Sequence, residues 1–114
     1  MACLKRIKIT PNFFNDEKIV LIDSMPNSDT VIVIWLKLLC LASRLDNGGR
    51  LATSDGKKYT IRMLSETFGR KEAIVRMALD AFERFCMIEN IDGVITVTNW
   101  KQYQDRGERY GAFI

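Results

Sequence analysis

The sequence predicts a mainly helical α+β domain, and three observations support this prediction. Apolar residues recur at spacings of three and four in several segments, which is the period of helices that face a core. Two β-forming runs flank Asp92-Gly93, a dipeptide typical of a tight hairpin because both residues tolerate positive φ. The chain has 114 residues, 47% of them hydrophobic and 27% charged, which is typical of one folded domain.

Two helices are expected in the first half of the chain. Asn15 is the predicted N-cap of the first, which should end before Pro26 because a residue that precedes proline avoids the α region. The second helix is expected over residues 30–44, capped by Ser28 or Asp29 and buried on most sides. Its length of fifteen residues exceeds that of a normal strand, despite the β-branched start.

Turn residues divide the next segments. Asn47, Gly48 and Gly49 can take positive φ and should end the second helix. The run "RLAT" predicts a short strand and "SDGKKY" a polar loop. Thr60 should then cap a short helix, "IRMLSETF", which ends at the turn residue Gly69.

A fourth helix is expected over residues 70–85. Its apolar stripe has the helical spacing and comprises Val75, Ala78, Leu79, Phe82 and Phe85 or Cys86. Its other face carries Ala73, Arg76, Met77, Asp80 and Arg84. Hairpin strands follow at about 87–91 and 94–98. A helix, turn, helix and two-stranded hairpin in this order predict a winged helix-turn-helix domain over residues 1–104, followed by a polar tail at 105–114.

Several classes of function are disfavoured by composition. There is no histidine, the commonest general base and metal ligand, and no CxxC pair among the three cysteines. Cys40 and Cys86 lie in apolar patterns, where a thiol acts as a small hydrophobe in a reducing cytoplasm. No secretory signal or membrane-length apolar run is present. We therefore expect no enzyme, cofactor, metal site or membrane contact.

Positive charge is concentrated in one block. Residues 44–76 contain eight basic and four acidic side chains, whereas the rest of the chain has nine basic and ten acidic. The candidate DNA contacts in this block are Lys57, Lys58, Arg62, Arg70, Lys71 and Arg76. Two interpretations are open for these side chains. They contact phosphate, or they are exposed to solvent alone, since exposed helix faces are often charged without a ligand.

Two further features bear on partners. The predicted hairpin offers Glu89 and Asp92 but no basic residue, which disfavours a wing that grips phosphates. Phe13 and Phe14 are adjacent, so they cannot easily face the same core. Either one of them is exposed for contact with a second subunit, or both fold under the N-terminal segment. Trp35 and Trp100 lie in apolar settings and are expected in the core.

The sequence also resembles a known family. The blocks that carry the resemblance are "ITPNFFNDEKIVLID", "VIWLKLLCLA", "NGGR", "ALDAFERFCMIE" and "ITVTNWKQYQ". In this order they are similar to the N-terminal domain of phage replisome organisers, which looks related to that of the primosomal protein DnaD. The resemblance extends from about Ile7 to Gln104.

The resemblance implies a cytoplasmic, non-enzymatic protein that helps to start phage DNA replication. Such proteins self-associate, engage DNA and bring in replication proteins such as a helicase or helicase loader. In DnaD-like relatives a further C-terminal region contributes much of the DNA binding. This sequence ends at Ile114, so residues 105–114 are expected either to begin a linker to a second domain or to end a short version of the protein. There are two alternatives: a transcriptional regulator that reads an operator, and an interaction domain without DNA contact.

Overall fold

Four helices and four short strands lie in residues 6–105, the part of the chain that the computed structural model describes. The helices are α1 (Glu17–Asp23), α2 (Ser28–Leu45), α3 (Ile61–Phe68) and α4 (Glu72–Arg84). The strands are β1 (Arg6–Ile7), β2 (Ile88–Ile91), β3 (Val94–Val97) and β4 (Gln104–Asp105). The predicted class, α+β and mainly helical, is confirmed.

Helix α2 forms the centre of the core. Trp35 on this helix is fully buried, and its ring lies 5.0 Å from that of Phe82 on α4 and 5.7 Å from that of Tyr103, between ring centroids. Burial raises the pKa of the Tyr103 hydroxyl above its ordinary value of 10.0. Trp100 is also buried, so the prediction that both tryptophans belong to the core is confirmed. Each buried aromatic side chain contributes roughly 1.5–3 kcal/mol to stability.

The two N-terminal helices begin differently from the prediction. Asp16, not Asn15, caps α1, because its carboxylate accepts the backbone N–H groups of Lys18 and Ile19 at 2.8 and 3.4 Å. Asn15 instead lies in a preceding 3-10 turn, Phe13–Asn15. Helix α2 starts at Ser28 after Asn27, which takes a left-handed conformation with φ of 61° and makes no side-chain cap. Asparagine tolerates that region, so the helix starts without the predicted cap.

The end of α2 also differs in one residue. Asp46, not Asn47, takes positive φ (51°), followed by Gly48 and Gly49 as predicted. The Asn47 side chain has another role, since its amide donates to the carbonyl of Ala52 at 2.9 Å. The loop after α2 is therefore closed by a side chain as well as by turn residues.

The predicted strand "RLAT" is reduced to two isolated bridges. Arg50 pairs with Thr96 and Ala52 pairs with Lys58. The backbone N–H of Leu51 donates to Ile95 at 2.8 Å, but its carbonyl accepts from Tyr59 at 3.0 Å. Because the chain turns back after Ala52, the segment lies beside β3 without continuing as a strand.

The strands form two antiparallel sheets, a local hairpin and a pair that joins distant parts of the chain. Strands β2 and β3 form the predicted hairpin, with Ile91 opposite Val94 and with φ of 53° at Asp92 and 81° at Gly93. Strands β1 and β4 pair antiparallel, so the start of the described chain lies beside its end. The predicted tail beyond Asp105 lies outside the described residues.

Both cysteines in the described part of the chain are exposed, which corrects the prediction that they are packed as small hydrophobes. Cys40 lies on the face of α2 that is turned away from the core, whereas Cys86 follows α4 with φ of 60°. The carbonyl of Cys86 accepts a hydrogen bond from Lys18 Nζ at 3.2 Å. No helix between residues 6 and 105 has the length and apolar character that would let it cross a lipid bilayer.

Candidate nucleic-acid interface

Helices α3 and α4 are joined by a three-residue turn. Thr60 caps α3 as predicted, accepting the backbone N–H of Met63 at 3.2 Å, and Gly69 ends it with φ of 69°. Helix α4 begins at Glu72 rather than at residue 70, because Lys71 is extended (φ −62°, ψ 147°). Its predicted apolar stripe is buried as far as Phe82 and half-buried at Phe85, and Met77, expected on the opposite face, also packs against the core. Arg70 and Lys71 therefore precede the helix and are not its first turn.

Arg70 makes hydrogen bonds at the C-terminus of α3, a role that the sequence did not indicate. Its guanidinium donates to the carbonyls of Phe68 and Gly69 at 3.4 and 3.1 Å. Its backbone N–H donates to the Ser65 carbonyl at 3.2 Å, and the Ser65 hydroxyl donates to its carbonyl at 2.5 Å. A cation near the last carbonyls of a helix is stabilising. Arg70 thus closes the C-terminus of α3, while Lys71 is exposed at the entrance to α4.

The exposed side of α4 faces an acidic groove. A groove of about 160 Å³ lies between this helix and the hairpin, and its charged lining residues are Arg76, Asp80, Glu83 and Glu89. Three carboxylates against one guanidinium disfavour close approach of phosphate. The groove disfavours α4 as a helix that reads bases, and it places Arg76 beside carboxylates.

Lys58 lies at the tip of the hairpin, although it is distant in sequence. Its Nζ donates to the carbonyl of Asp92 at 2.9 Å. A Cβ added to Gly93 would lie 3.1 Å from the same nitrogen, a tight contact that a small shift of the flexible lysine side chain would relieve; glycine is favoured here by its φ of 81°. The tip therefore carries a positive charge from the loop before α3, although none of the hairpin's own residues is basic.

The loop that carries Lys57 and Lys58 is held by a tight turn. The Thr53 backbone N–H donates to the Lys57 carbonyl at 2.9 Å, and the Lys57 N–H donates to the Thr53 hydroxyl at 3.0 Å. The Thr53 hydroxyl donates in turn to Asp55, and this bond lowers the pKa of the Asp55 carboxyl. Lys57 is exposed beside this turn, so its ammonium is presented to solvent from an ordered backbone.

Arg62 completes the predicted basic group at the first turn of α3. Its side chain is 80% exposed and lies 3.8 Å from the carboxylate of Glu66 one turn later. An exposed pair of this kind contributes only about 0.3–0.5 kcal/mol. The guanidinium can therefore exchange Glu66 for a phosphate at little cost.

Of the two alternatives for the adjacent phenylalanines, the structure shows the one in which a single ring is exposed. Phe13 is half-buried and packs against the core, whereas Phe14 is 63% exposed. Their rings meet edge to face with centroids 5.0 Å apart. Phe14 is therefore the accessible aromatic of the pair, and Phe13 supports it.

The sequence missed two features of this surface. The hydrogen bond from Lys58 to the hairpin joins residues 34 positions apart, and no local pattern signals such a contact. The acidic residues of the groove are visible in the sequence, but their convergence depends on how α4 and the hairpin pack. Within residues 6–105, no group of three Cys, Asp or Glu side chains is placed to hold a metal ion.

A known family model matches most of the chain. The model of the family described as N-terminal phage replisome organiser matches residues 6–109. No curated protein and no solved structure shows a significant match.

Proposed function

Because the chain belongs to the N-terminal phage replisome organiser family, and so has a role related to replication, we propose that it is a non-enzymatic scaffold that helps to start phage DNA replication. In this proposal the domain is a winged helix that contacts duplex DNA weakly and without sequence preference. It self-associates and helps to gather replication proteins, such as a helicase or helicase loader, in the cytoplasm of the bacterial host.

One observation supports this function over operator recognition. The surface next to α4, where a recognition helix would meet bases, is an acidic groove, whereas basic side chains lie on the loop before α3 and at the hairpin tip. Contacts from a loop and a hairpin tip to phosphates position a protein without reading sequence. Such a domain attaches to DNA but leaves the choice of site to other parts of the assembly.

The residues proposed to contact phosphates fall into three groups. Lys57, Lys58 and Arg62 form the main group, on the loop and on the start of α3. Lys71 is a secondary contact at the entrance to α4. Arg70 and Arg76 remain weaker candidates, because one closes α3 and the other lies among carboxylates.

Phe14 is proposed as a contact with a second copy of the chain. It is the most exposed large hydrophobic side chain in the described range, at 63%. Exposed aromatic side chains are favoured anchors at protein interfaces. The half-buried Phe13 ring holds it in place.

The proposal is tested by titrating the 114-residue chain with random and origin-like duplexes at about 50 and 200 mM salt, with light scattering to measure mass. We expect weak binding of both duplexes, a strong loss of affinity at the higher salt, and an oligomeric protein. Absence of binding at low salt would favour an interaction domain without DNA contact. Strong preference for one duplex would favour a sequence-reading regulator.

A further inference from the structure

A cavity of about 520 Å³ lies between the segment before α1, α1 itself and the turn at Tyr103. Trp35 is fully buried and lines this cavity from the side of the core. Cavities of about 300–1,000 Å³ are typical of sites for small ligands. None of the residues proposed to contact DNA lines it, so the cavity is separate from the proposed phosphate contacts.

The indole N–H of Trp35 has no hydrogen-bond acceptor. Among residues 6–105 it is the one buried side-chain nitrogen or oxygen without a partner. Native proteins pair nearly all such groups, because a donor that loses water and gains no partner is destabilising. The indole nitrogen can only donate. A ligand that satisfies it must therefore bring an acceptor atom.

The charges around the cavity favour an anionic acceptor. Its charged lining residues are Lys8, Asp16 and Lys18. Oδ1 of Asp16 already accepts two backbone N–H groups at the start of α1. The Lys18 ammonium uses one of its three N–H donors on the carbonyl of Cys86, at 3.2 Å. Two ammonium groups against one carboxylate leave an excess of positive charge, and a carboxylate is a stronger acceptor than a neutral carbonyl because its hydrogen bonds are charge-assisted.

Much of the remaining wall is apolar. Phe13, Ile19 and Met87 line it, and the last two are buried. An apolar group that covers these side chains is removed from water, which favours binding. Ligand sites commonly combine such a wall with a few placed polar groups. The cavity therefore suits a molecule with an apolar body and one carboxylate better than a bare inorganic anion.

We propose that this cavity binds a carboxylate carried on a small apolar group. The Trp35 indole N–H and the Lys18 ammonium donate to the carboxylate, and the apolar group packs against Phe13, Ile19 and Met87. A free small acid offers this chemistry, and so does the C-terminal residue of a peptide from another protein. The site requires neither DNA binding nor self-association, so the duplex titration judges the proposed function separately.

The indole N–H signals in NMR spectra of the isotope-labelled chain test the site directly. The chain has two tryptophans, Trp35 and Trp100, and Trp100 does not line the cavity. Phenylacetate, with about ten heavy atoms, should shift the Trp35 signal and leave the Trp100 signal in place, with a dissociation constant on the order of 5 mM. Trp35→Phe identifies the signal, and Trp100→Phe gives the same assignment if the first variant does not fold. A Trp35 signal that phenylacetate leaves in place would overturn the proposal.

Two smaller changes to the probe separate the parts of the ligand. Acetate lacks the apolar group, and phenylacetamide has the same shape as phenylacetate without its charge. Each should bind at least about fivefold more weakly than phenylacetate, because each loses one of the two contributions. Equal affinity for phenylacetate and either of these probes would contradict the proposed ligand class.

Lys18→Met removes the ammonium and keeps an aliphatic side chain of similar length. It should weaken phenylacetate binding about tenfold, because a charge-assisted hydrogen bond is lost. Lys37→Met is the matched control, since Lys37 is also a half-buried lysine on a helix but lies outside the cavity, and it should leave the affinity unchanged. Binding that is unchanged in Lys18→Met, or lost equally in both variants, would overturn the site.

A pair of larger probes distinguishes the two sources of the carboxylate. N-acetyl-phenylalanine carries the free carboxylate of a peptide C-terminus, and N-acetyl-phenylalaninamide is its neutral control. Tighter binding of N-acetyl-phenylalanine than of phenylacetate would support a peptide C-terminus as the ligand, and the reverse order would support a free acid. An amide that binds as tightly as the acid would overturn the carboxylate site.

Discussion

Replacing Gly49 by alanine is expected to lower the free energy of unfolding by about 3 kcal/mol, which combines backbone strain with a steric clash. Gly49 has φ of 88°, and a Cβ at this position would lie 2.8 and 2.9 Å from Cβ and Cγ of Trp100. Trp100 is only 8% exposed, and its Cβ is fixed by the backbone, so the ring cannot move aside cheaply. Thermal unfolding followed by circular dichroism measures the effect, with an expected decrease in Tm of roughly 12–20 °C.

Gly48→Ala is the matched control. Gly48 also has positive φ, 67°, but no atom lies within 4 Å of the position its Cβ would take. It should cost only about 1 kcal/mol, the strain of alanine in the left-handed region. Equal losses in the two variants would show that the contact with Trp100 does not limit stability.

The triple substitution of Lys57, Lys58 and Arg62 by alanine is expected to remove most of the DNA affinity of this domain. Each phosphate contact contributes about 0.9 to the slope of log affinity against log salt, so the slope should fall by roughly 2.7. When salt is raised from 50 to 200 mM, the affinity of the unaltered chain should therefore fall about 40-fold more than that of the triple variant. Fluorescence anisotropy with a labelled random duplex at several salt concentrations measures both quantities.

Two controls test whether the loss of affinity comes from the charges at these positions. Lys101→Ala removes one exposed lysine outside the proposed contacts and should change affinity far less than Lys57→Ala. Lys58→Arg keeps the charge at the hairpin tip and should retain most of the binding. If the triple variant binds as tightly as the unaltered chain, the proposed phosphate contacts are wrong.

Local patterns in the sequence predicted the regular elements well. The cap at Thr60, the turn at Gly69 and the hairpin at Asp92-Gly93 each depend on residues within a few positions, and all three are confirmed. Helix starts were less accurate, because Asn15 and Asp16 are both good caps and only the backbone decides between them. The segment "RLAT" was overestimated as a strand, since its pairing depends on where β3 lies.

Long-range placement limited what could be predicted of the candidate site. The exposed Phe14 was one of two alternatives, because two adjacent side chains point apart whichever faces inward. Arg70 was placed at a DNA-facing helix entrance, yet its guanidinium donates to the carbonyls that end α3. Lys58 was predicted as basic loop charge, but its hydrogen bond to Asp92 depends on tertiary packing.

The exposed face of α2 could not be recognised from its composition. Val33, Leu36 and Cys40 have the same chemical character as the buried residues beside them, so hydropathy assigns the whole helix to the core. Only the packing of the neighbouring helices shows which face is left open.

The central claim is that DNA contacts the loop 53–58 and the hairpin tip and not the exposed side of α4. Amide NMR spectra of the isotope-labelled chain, recorded while a random duplex is added at low salt, test this claim residue by residue. We expect the largest shift changes at Lys57, Lys58 and Gly93, with small changes along α4. Changes concentrated at Arg76, Asp80 and Glu83 would contradict the claim and restore α4 as the DNA-reading helix.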